Sequence, residues 1–578
     1  MHPPPVAPPA LRLAQGVRLL AWMLLLSTLL SFNLWWPTPM VVPDHRVSPE
    51  FVLLWCALLG WVAWRGALPA WALTVLALLY TLMVLGRYAD VGVPALFGRP
   101  VNLYWDGLQI PRFVWVSAQA LPWWASAAAV LGVTGALWGL YRLVRRALQV
   151  LVHEAAPRAL RSHVALAASG FFALSALGNY AGVQATWPYI SKPVLPGWVH
   201  QAGLVRDALS PERVADALPA STVIDQAMAG HSAGALALLG GRDLYLIMLE
   251  SVGAITYDDA GMAATLAPRR RAFEQELQAA GKGVVSAFVK SPTFAGGSDL
   301  AHLGLLSGMD LSVPRRHDLL LTTQRPTLIS LMRAQGYQTF GVYHAVFWDW
   351  PERAFYNYDT YVDARQLDYR GPALGSWVIP DQFAFARFEQ LHPRSAGGKP
   401  RFVFFPTISS HLPFSPVPPY QPDWMRILGN EPFDGAEVAR LQAQKTDWLN
   451  MRPGYIGMMD YTYRWLAGYL AQPFARDGLH VLVGDHQPAS NVTGEGASWD
   501  VPVHVVSNDP LLLQRFEALG FVRGMEPPRA ALGGMHELTG LLLRALSSPP
   551  LLAGAVTQAP SAAAARTPPQ AGAHHATR

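Results

Sequence analysis

Two ionisable side chains stand where a buried strand is predicted to end. The stretch VLVG (481–484) is suited to the core of a sheet, and Asp485 and His486 follow it directly. A solvated turn would account for one ionisable residue at this place. The pair together, at the point where a strand leaves a core, indicates a site for a metal ion or a phosphate.

Two further residues that can take part in polar chemistry follow other predicted elements. Glu250 ends the apolar stretch 242–250, a second candidate for a buried strand. Ser298 stands between Gly296-Gly297 and a leucine-rich stretch that predicts a helix. At the start of a helix, unpaired N–H groups and the helix dipole favour an anion, here a serine alkoxide or a bound phosphate.

Each of these residues also has an ordinary structural explanation. Ser298 could serve only as a helix cap, and Glu250 could be a helix cap or a surface acid. Asp485 and His486 could lie in a plain turn. Their common position at the ends of predicted elements favours a functional site over three unrelated explanations.

The elements that must position these residues alternate along the chain. Helical stretches such as 327–335 separate further short strand candidates, which are residues 283–289, 338–344, 401–405, 479–483 and 501–507. Such an alternation predicts an α/β domain with a mostly parallel central sheet that is covered on both faces. Ligands of such folds bind at the carboxyl ends of the strands, where the candidate residues are predicted to meet.

The composition indicates a membrane part. The chain has 578 residues, of which 51% are hydrophobic and only 14% charged, too apolar for an ordinary soluble protein. The net charge of +5 is modest and gives no support for a nucleic-acid partner. The single cysteine, Cys56, excludes an intrachain disulfide and a metal site built from cysteines.

The first third of the chain carries five apolar segments. Each is a candidate for a membrane helix, which needs about 20 apolar residues; they are Leu19–Trp36, Phe51–Trp64, Ala67–Gly86, roughly Leu121–Leu140 and roughly Val164–Ala181. No small-residue cleavage site follows the first segment, so we interpret it as an anchor rather than a signal peptide. The placement of arginines predicts a cytoplasmic amino terminus, and five crossings would then leave the rest of the chain outside.

These patterns divide the chain into four predicted parts. Residues 1–185 form a transmembrane domain of five helices, and residues 186–240 form connector helices, one of them starting at Ser210-Pro211-Glu212. Residues 241–550 form the α/β catalytic domain. The Ala/Pro-rich tail, residues 551–578, is predicted to be disordered.

Residues 298–308, SDLAHLGLLSG, resemble the nucleophile motif C/S-x-P-S-R-x-x-L-L-T-G of the sulfatase family, in the alkaline phosphatase superfamily, in the same register. The spacing to LLSG favours Ser298 over a rival hydroxyl, Thr293. The proline and arginine that sulfatases need to make formylglycine are Leu300 and His302 here. The resemblance therefore favours the branch that uses an unmodified hydroxyl. Its members are lipoteichoic acid synthases, phosphoglycerol transferases of periplasmic glucans and the phosphoethanolamine transferases that modify lipid A.

This branch combines membrane spans with an outward-facing catalytic domain, so the resemblance covers the chain to about residue 545. It implies a sulfatase-like α/β catalytic domain. Phosphoethanolamine transferases usually carry several disulfides in that domain, whereas this chain can form none. The comparison favours the phosphoglycerol branch.

The resemblance also implies one divalent metal ion, held by Glu250, Ser298, Asp485 and His486. Two carboxylates, an imidazole and an alkoxide suit Mn²⁺ as the first choice, with Zn²⁺ or Mg²⁺ as alternatives. Coordination lowers the pKa of a serine hydroxyl so that the alkoxide can attack phosphorus. The ion also neutralises charge that develops on the phosphoryl oxygens.

Two histidines and an aromatic segment complete the predicted site. His411, in TISSHLPF after the 401–405 strand, would contact substrate or assist the leaving group, as this branch implies. His302, one turn after the nucleophile, would touch the leaving group or merely pack. Residues 343–359 resemble the phosphoglycerol-binding segment of the synthases. The substrate-binding residues implied by that segment are His344, Trp350 and Arg353, where Arg353 would hold a phosphate and Trp350 would line the glycerol.

The predicted protein is a multi-pass enzyme of the inner membrane whose catalytic domain faces the periplasm or outside. It would transfer a phosphoglycerol or phosphoethanolamine group from a phospholipid donor to a glycan or lipid acceptor alcohol, through a phosphoserine. Two alternatives remain open. One is a hydrolase of the same fold, a phosphodiesterase or sulfuric ester hydrolase, and the other is a non-catalytic membrane scaffold.

Overall fold

A computed structural model of the chain describes the residues from 9 to 548, apart from short gaps. The gaps are residues 36–37, 39, 98–99, 105, 109, 112–113, 115–121, 182–188, 211–217, 220, 230–233, 349, 351, 375–377, 395–396 and 476. The predicted disordered tail, 551–578, and the helix start predicted at residues 211–212 lie outside the described residues.

Helices lie at all five places where apolar segments were predicted. They are Pro9–Ser31, Pro49–Arg65, Ala70–Phe97, Trp123–Val150 and His163–Tyr180, and the fourth continues through a π-helical turn, Leu151–Ala155, into Ala156–Ala159. Among the described residues, three helices are long and apolar enough to cross a membrane, over Ala14–Ser31, Ala70–Leu96 and Trp123–Ala159. Three candidate spans are therefore found where five were predicted. The other two helices have 17 and 18 residues, close to the lower limit for a span.

The helices Pro49–Arg65 and His163–Tyr180 contact the start of the connector through one buried carboxylate. Glu50 is only 5% exposed, and it accepts hydrogen bonds from the N–H of Val194 at 2.5 Å and the hydroxyl of Tyr180 at 2.8 Å. The connector helices are Leu195–Leu209, Val223–Met228 and the 3₁₀ turn Ala237–Leu239. Because a buried carboxylate needs hydrogen bonds, these contacts fix the start of the connector against the helices.

The α/β part contains a nine-stranded sheet. A separate short pair, β1 (Asn33–Leu34) and β2 (Val41–Val42), lies in the helical part. The strands of the large sheet are β3 (Leu244–Leu249), β4 (Gly283–Lys290), β5 (Gln338–Tyr343), β6 (Thr360–Asp363), β7 (Arg401–Pro406), β8 (Leu479–Gly484), β9 (Asp500–Ser507), β10 (Val522–Arg523) and β11 (Ala531–Gly534). Their order is β10-β4-β9-β8-β3-β7-β5-β6, and β11 pairs with β4.

The sheet is mixed, and five of its eight strand pairs are parallel. The neighbours β6, β5, β7, β3 and β8 run parallel, whereas β9 runs antiparallel to both β8 and β4. The connection from β8 to β9 contains only the short helix Ser490–Thr493 and stays at the carboxyl edge of β8. Without a crossover to the opposite edge, β9 must run back along β8.

Helices cover both faces of the sheet. They are Ile255–Asp258, Ala260–Ala279, Ser298–Ser307, Pro314–Leu321, Leu328–Ala334, Arg353–Tyr356, Ala364–Leu367, Asp381–Leu391, Gly435–Gln442, Arg452–Leu470, Ser490–Thr493, Pro510–Glu517 and Met535–Leu546, with 3₁₀ turns at Arg426–Leu428 and Pro473–Ala475. All six residues of β3 are buried and alternate between two apolar cores, one on each face. Burial on both faces explains why this strand reads as a continuous apolar run in the sequence.

Candidate active site

The predicted site residues follow strands that end at one edge of the sheet. β3 and β8 are parallel neighbours, so Glu250 and Asp485, each one residue past its strand, emerge side by side. β4 is antiparallel to β9 and therefore runs in the same direction as β8. The segment after β4 leads to Ser298 at the same edge. The topology thus brings together residues that are far apart in the chain.

The side chains of these residues form a compact cluster. The Ser298 hydroxyl lies 3.2 Å from Glu250 Oε2 and 3.2 Å from His486 Nε2. His486 Nε2 lies 3.6 Å from Glu250 Oε1 and 3.6 Å from Asp485 Oδ2. Glu250, Asp485 and His486 are all buried, and one ligand atom of each lies within 4.8 Å of the others. All four predicted metal ligands therefore meet at one point.

The hydrogen bonds of His486 fix its tautomer. Nδ1 lies 2.8 Å from the carbonyl oxygen of Gln487, and because a carbonyl can only accept, Nδ1 carries the proton and donates it. In a neutral imidazole, Nε2 is then the unprotonated nitrogen, and it faces the carboxylates and the Ser298 hydroxyl. A backbone carbonyl on the remote nitrogen is the usual way in which proteins orient a histidine toward a metal ion.

Ser251 joins the two carboxylates and was missed in the sequence. Its N–H donates to Asp485 Oδ1 at 2.8 Å, and its hydroxyl donates to Glu250 Oε1 at 2.8 Å. Its φ of 55° lies in the left-handed region that residues other than glycine rarely adopt. Tyr455 donates to the carbonyl of Ser251 at 2.9 Å and so helps to hold this conformation. No local sequence signal marks a strained serine, because the strain depends on contacts across the fold.

The cluster fits a divalent cation. Asp485 Oδ2 is buried and accepts no hydrogen bond from the described residues, which is a costly state for a carboxylate oxygen. Burial and the neighbouring Glu250 carboxylate raise the pKa of Asp485 well above its ordinary value. A cation between the carboxylates would remove this penalty. Two carboxylates, an imidazole nitrogen and a serine oxygen form a donor set that Mn²⁺, Zn²⁺ or Mg²⁺ can accept.

Glycine determines the turn that presents Ser298. Gly296 and Gly297 have φ values of 126° and 73°, and Ser298 then starts the helix Ser298–Ser307. The hydroxyl of Thr293, the rival nucleophile, donates to the carbonyl of Gly296 at 2.5 Å. Thr293 therefore stabilises the turn, whereas the Ser298 hydroxyl points at the cluster.

His411 lies beside the cluster, and His344 supports its loop. His411 follows Ser410, whose hydroxyl donates to the carbonyl of Glu250 at 2.6 Å. Burial raises the pKa of Glu250, but the neighbouring His486 and then His411 lower it below its ordinary value. His344 is buried, with Nε2 2.8 Å from Asp381 Oδ1, and the N–H of Ile408 donates to the same oxygen at 2.8 Å. The structure therefore places His344 under the loop that leads to His411, away from solvent. Asp381 was missed because its partners are distant in the chain.

His302 lies in the wall of the site as a neutral side chain. It is 9% exposed, and its ring meets Phe404 edge-on with the ring centres 5.5 Å apart. Burial lowers the pKa of His302 to about 4, so the imidazole carries no charge at neutral pH. This position satisfies the packing interpretation, and a contact with the leaving group stays a prediction.

The predicted substrate residues Trp350 and Arg353 contact aromatic residues of their own segment and of β6. The Trp350 ring packs against Tyr343 at 4.8 Å and Tyr356 at 5.2 Å. The guanidinium carbon of the exposed Arg353 lies 5.3 Å from the centre of the Tyr361 ring. Trp350 packs against the edge of an apolar core.

The cluster depends on a glycine at the end of β8. A Cβ on Gly484 would lie 1.9 Å from the carbonyl oxygen of Val252, a backbone atom that cannot move away cheaply. We expect Gly484→Ala to lower the free energy of unfolding by about 3 kcal/mol and to displace Asp485. Gly540→Ala is the matched control, because a Cβ there meets no atom within 4 Å. Thermal unfolding of the two purified variants checks the prediction, and equal unfolding temperatures would contradict it.

The chain is similar to several solved structures at low sequence identity. No family model and no curated protein matches the chain. Among solved structures, the chain is similar to a protein in the alkaline phosphatase superfamily from Vibrio parahaemolyticus, with 16% identity over 53% of this chain and 66% of that one, at a TM-score of 0.34. It is also similar to the lipoteichoic acid synthase LtaP from Listeria monocytogenes, with 14% identity, 46% and 65% coverage and a TM-score of 0.31.

A third similar structure is the periplasmic domain of EcEptC from Escherichia coli in complex with Zn, with 15% identity over 52% of this chain and 80% of that one, at a TM-score of 0.34. The match spans just under two thirds of the Vibrio and Listeria chains, at 66% and 65%. Solved structures of alkaline phosphatase superfamily members are thus among those to which the chain is similar.

Proposed function

We propose that this chain is a metal-dependent membrane transferase that moves a phosphoglycerol or phosphoethanolamine group from a phospholipid to an acceptor hydroxyl. One observation carries the proposal. The Ser298 hydroxyl, at the start of a helix, lies 3.2 Å from both Glu250 Oε2 and His486 Nε2 in a buried cluster with Asp485. A hydroxyl in this position has the surroundings of an activated nucleophile rather than those of a helix cap.

The first step forms a phosphoserine. Ser298 Oγ attacks the lipid phosphorus, and its proton leaves towards Glu250 Oε2, the carboxylate oxygen at 3.2 Å. The bond from phosphorus to the diacylglycerol oxygen breaks, and diacylglycerol leaves after taking up a proton. His411, beside the cluster, is the candidate donor of that proton. Free N–H groups at the start of the helix Ser298–Ser307 favour the anionic phosphoryl oxygens.

The second step releases Ser298. An acceptor hydroxyl gives its proton to His411, which lost one in the first step, and attacks the same phosphorus. The bond to Ser298 Oγ breaks, and Glu250 returns the proton that it took up. Ser298 recovers a proton, so the two steps together exchange one alcohol for another. The residues that would hold the metal ion are Glu250, Ser298, Asp485 and His486. When bound, the ion would supply charge stabilisation for the serine alkoxide and for the phosphoryl oxygens.

The membrane part suits a lipid donor. Three described helices are long and apolar enough to cross a bilayer, and a donor lipid stays in that bilayer. Five crossings, an inner-membrane location and a periplasmic or outward-facing catalytic domain belong to this proposal. The arginine pattern of the sequence supports them.

Product analysis separates a transferase from a hydrolase of the same fold. The purified chain, loaded with Mn²⁺, is mixed with phosphatidylglycerol or phosphatidylethanolamine, with and without an added glycan or glycerol acceptor. We expect diacylglycerol in both reactions and a head group on the acceptor whenever one is present. A free phosphorylated head group as the sole second product, whatever acceptor is added, would establish the hydrolase instead.

A further inference from the structure

A loop of the catalytic domain exposes two large apolar side chains to solvent. Residues 443–450 connect the helices Gly435–Gln442 and Arg452–Leu470. Trp448 is 62% exposed and Leu449 is 79% exposed. Asp447 Oδ1 accepts hydrogen bonds from the N–H of Leu449 at 3.0 Å and of Asn450 at 3.1 Å, so the loop has a defined turn. A defined turn that presents tryptophan and leucine outward is typical of a contact surface.

The short helix Ser490–Thr493 links the end of a candidate membrane helix to the residues that follow the loop. Ala95, in the last turn of the span Ala70–Leu96, accepts a hydrogen bond from the Ser490 hydroxyl at 2.5 Å. The neighbouring Val492 carbonyl accepts from Arg452 Nε at 2.8 Å, only three residues beyond Leu449. Two hydrogen bonds therefore connect the end of the candidate membrane helix, through residues 490–492, to Arg452 just after the exposed loop.

We propose that the loop 443–450 docks on the lipid surface, with Trp448 and Leu449 in the boundary between head groups and acyl chains. Tryptophan is enriched at this boundary, because its ring is largely apolar and its N–H can stay in the polar layer. Lys445 and Asp447 leave the loop without net charge, so the two apolar side chains carry the docking. The link to the span end favours a lipid surface over a protein partner.

Docking would hold the site close to the bilayer. Ser490, which contacts the membrane helix, follows the Asp485-His486 pair by only a few residues, and Asn491 Nδ2 lies 2.8 Å from Met451 Sδ. The metal ligands, the span end and the loop therefore belong to one packed unit. The docking proposal rests on the helix Ala70–Leu96 crossing a membrane and does not depend on the reaction at Ser298.

A single-cysteine probe tests the docking. Cys56 is the only cysteine, so Cys56→Ser combined with Leu449→Cys gives one labelling site in the full chain. Leu511→Cys is the matched control. Leu511 is 69% exposed and its N–H is capped by Asp509 at 3.0 Å, as Leu449 is by Asp447. Leu511 follows β9, whose last residue pairs with the first residue of β4. It therefore lies at the end of the strands opposite to the candidate site.

Both variants carry an environment-sensitive fluorophore and are reconstituted in vesicles of phosphatidylethanolamine and phosphatidylglycerol. We expect the label at position 449 to show blue-shifted emission and to be quenched by nitroxide groups on the lipid chains, whereas the label at position 511 is quenched by aqueous iodide. Equal iodide quenching at both positions would overturn the proposal. Protection from iodide at position 449 without quenching by the lipid nitroxides would also overturn it, because it would indicate a protein contact.

An activity measurement distinguishes this proposal from the proposed reaction. We expect Leu449→Asp to raise the apparent KM for phospholipid in vesicles severalfold and to leave turnover of a soluble aryl phosphodiester unchanged. Ser298→Ala should abolish both activities without changing the fluorescence at position 449. If Ser298→Ala kept its activity, the proposed reaction would fail while the docking stood. An unchanged KM of Leu449→Asp for vesicle lipid would count against docking.

Discussion

Ser298→Ala abolishes head-group transfer if the cluster works as proposed. The substitution removes the oxygen that lies 3.2 Å from Glu250 Oε2 and from His486 Nε2. The nearby hydroxyls of Thr293 and Ser251 donate to the carbonyl of Gly296 and to Glu250 Oε1, and we do not expect either to take its place. We therefore expect release of diacylglycerol from phospholipid to fall by at least about 10³-fold.

The control for this variant is Ser307→Ala at the other end of the same helix. The Ser307 hydroxyl accepts the N–H of Met309 at 3.3 Å, and we assign it no part in the chemistry. Ser307→Ala should keep most of its turnover. Both variants should unfold at temperatures close to that of the unaltered chain, and a Ser298→Ala variant with unchanged turnover would reject Ser298 as the nucleophile.

Asp485→Asn should remove the metal ion and the activity together. The amide preserves the shape of the side chain but replaces one carboxylate oxygen with an NH₂ group, which cannot bind a cation. Asp485 Oδ2 lies 3.6 Å from His486 Nε2 and has no hydrogen-bond partner in the described part of the chain. The substitution therefore alters an oxygen that we propose as a metal ligand. We expect turnover to fall by about 10³-fold.

Metal content and thermal unfolding measure this effect independently of turnover. The unaltered chain should bind one divalent ion per molecule, and added Mn²⁺ or Zn²⁺ should raise its unfolding temperature because only the folded state has the site. Asp485→Asn should show neither effect. Asp368→Asn, a change at an exposed aspartate that pairs with Arg370, should behave like the unaltered chain. Stoichiometric metal in Asp485→Asn would contradict the assignment, and absence of metal from the unaltered chain would favour a scaffold.

The convergence of the four proposed ligands could be predicted from the sequence because local signals mark the places where they lie. Glu250 and Asp485 follow apolar stretches that form buried strands, and Ser298 follows two glycines at the start of a helix. Strands buried on both faces are recognisable from continuous apolar residues alone. Their carboxyl ends share one edge in this class of fold, which predicts convergence without any knowledge of the contacts.

Other features depend on pairings that no local pattern reveals. Ser251 bridges the two carboxylates in a left-handed conformation, which reflects its contacts with distant residues. The aromatic segment at 343–359 suggested substrate contacts, yet His344 pairs with Asp381 beneath a loop and Trp350 packs on neighbouring tyrosines. Aromatic residues bury large apolar areas wherever they can, so their presence alone does not separate a binding wall from a core.

The direction of the strands and the number of membrane spans also depend on the fold and could not be predicted from local sequence patterns. The antiparallel direction of β9 follows from a connection that stays at one edge, and alternating apolar segments do not reveal such a connection. The helices Pro49–Arg65 and His163–Tyr180 were predicted as spans from their composition. Whether helices of this length cross a bilayer depends on their tilt and their packing against neighbours.

The mass of the intact protein after mixing with a phospholipid tests the central claim most directly. The metal-loaded chain is incubated with phosphatidylglycerol or phosphatidylethanolamine without an acceptor, quenched in acid and weighed by mass spectrometry. We predict a gain equal to one phosphoglycerol or phosphoethanolamine group, located on the peptide that contains Ser298 and absent from Ser298→Ala. Release of diacylglycerol with no gain in mass at any time, or a gain located on another residue, would contradict the account.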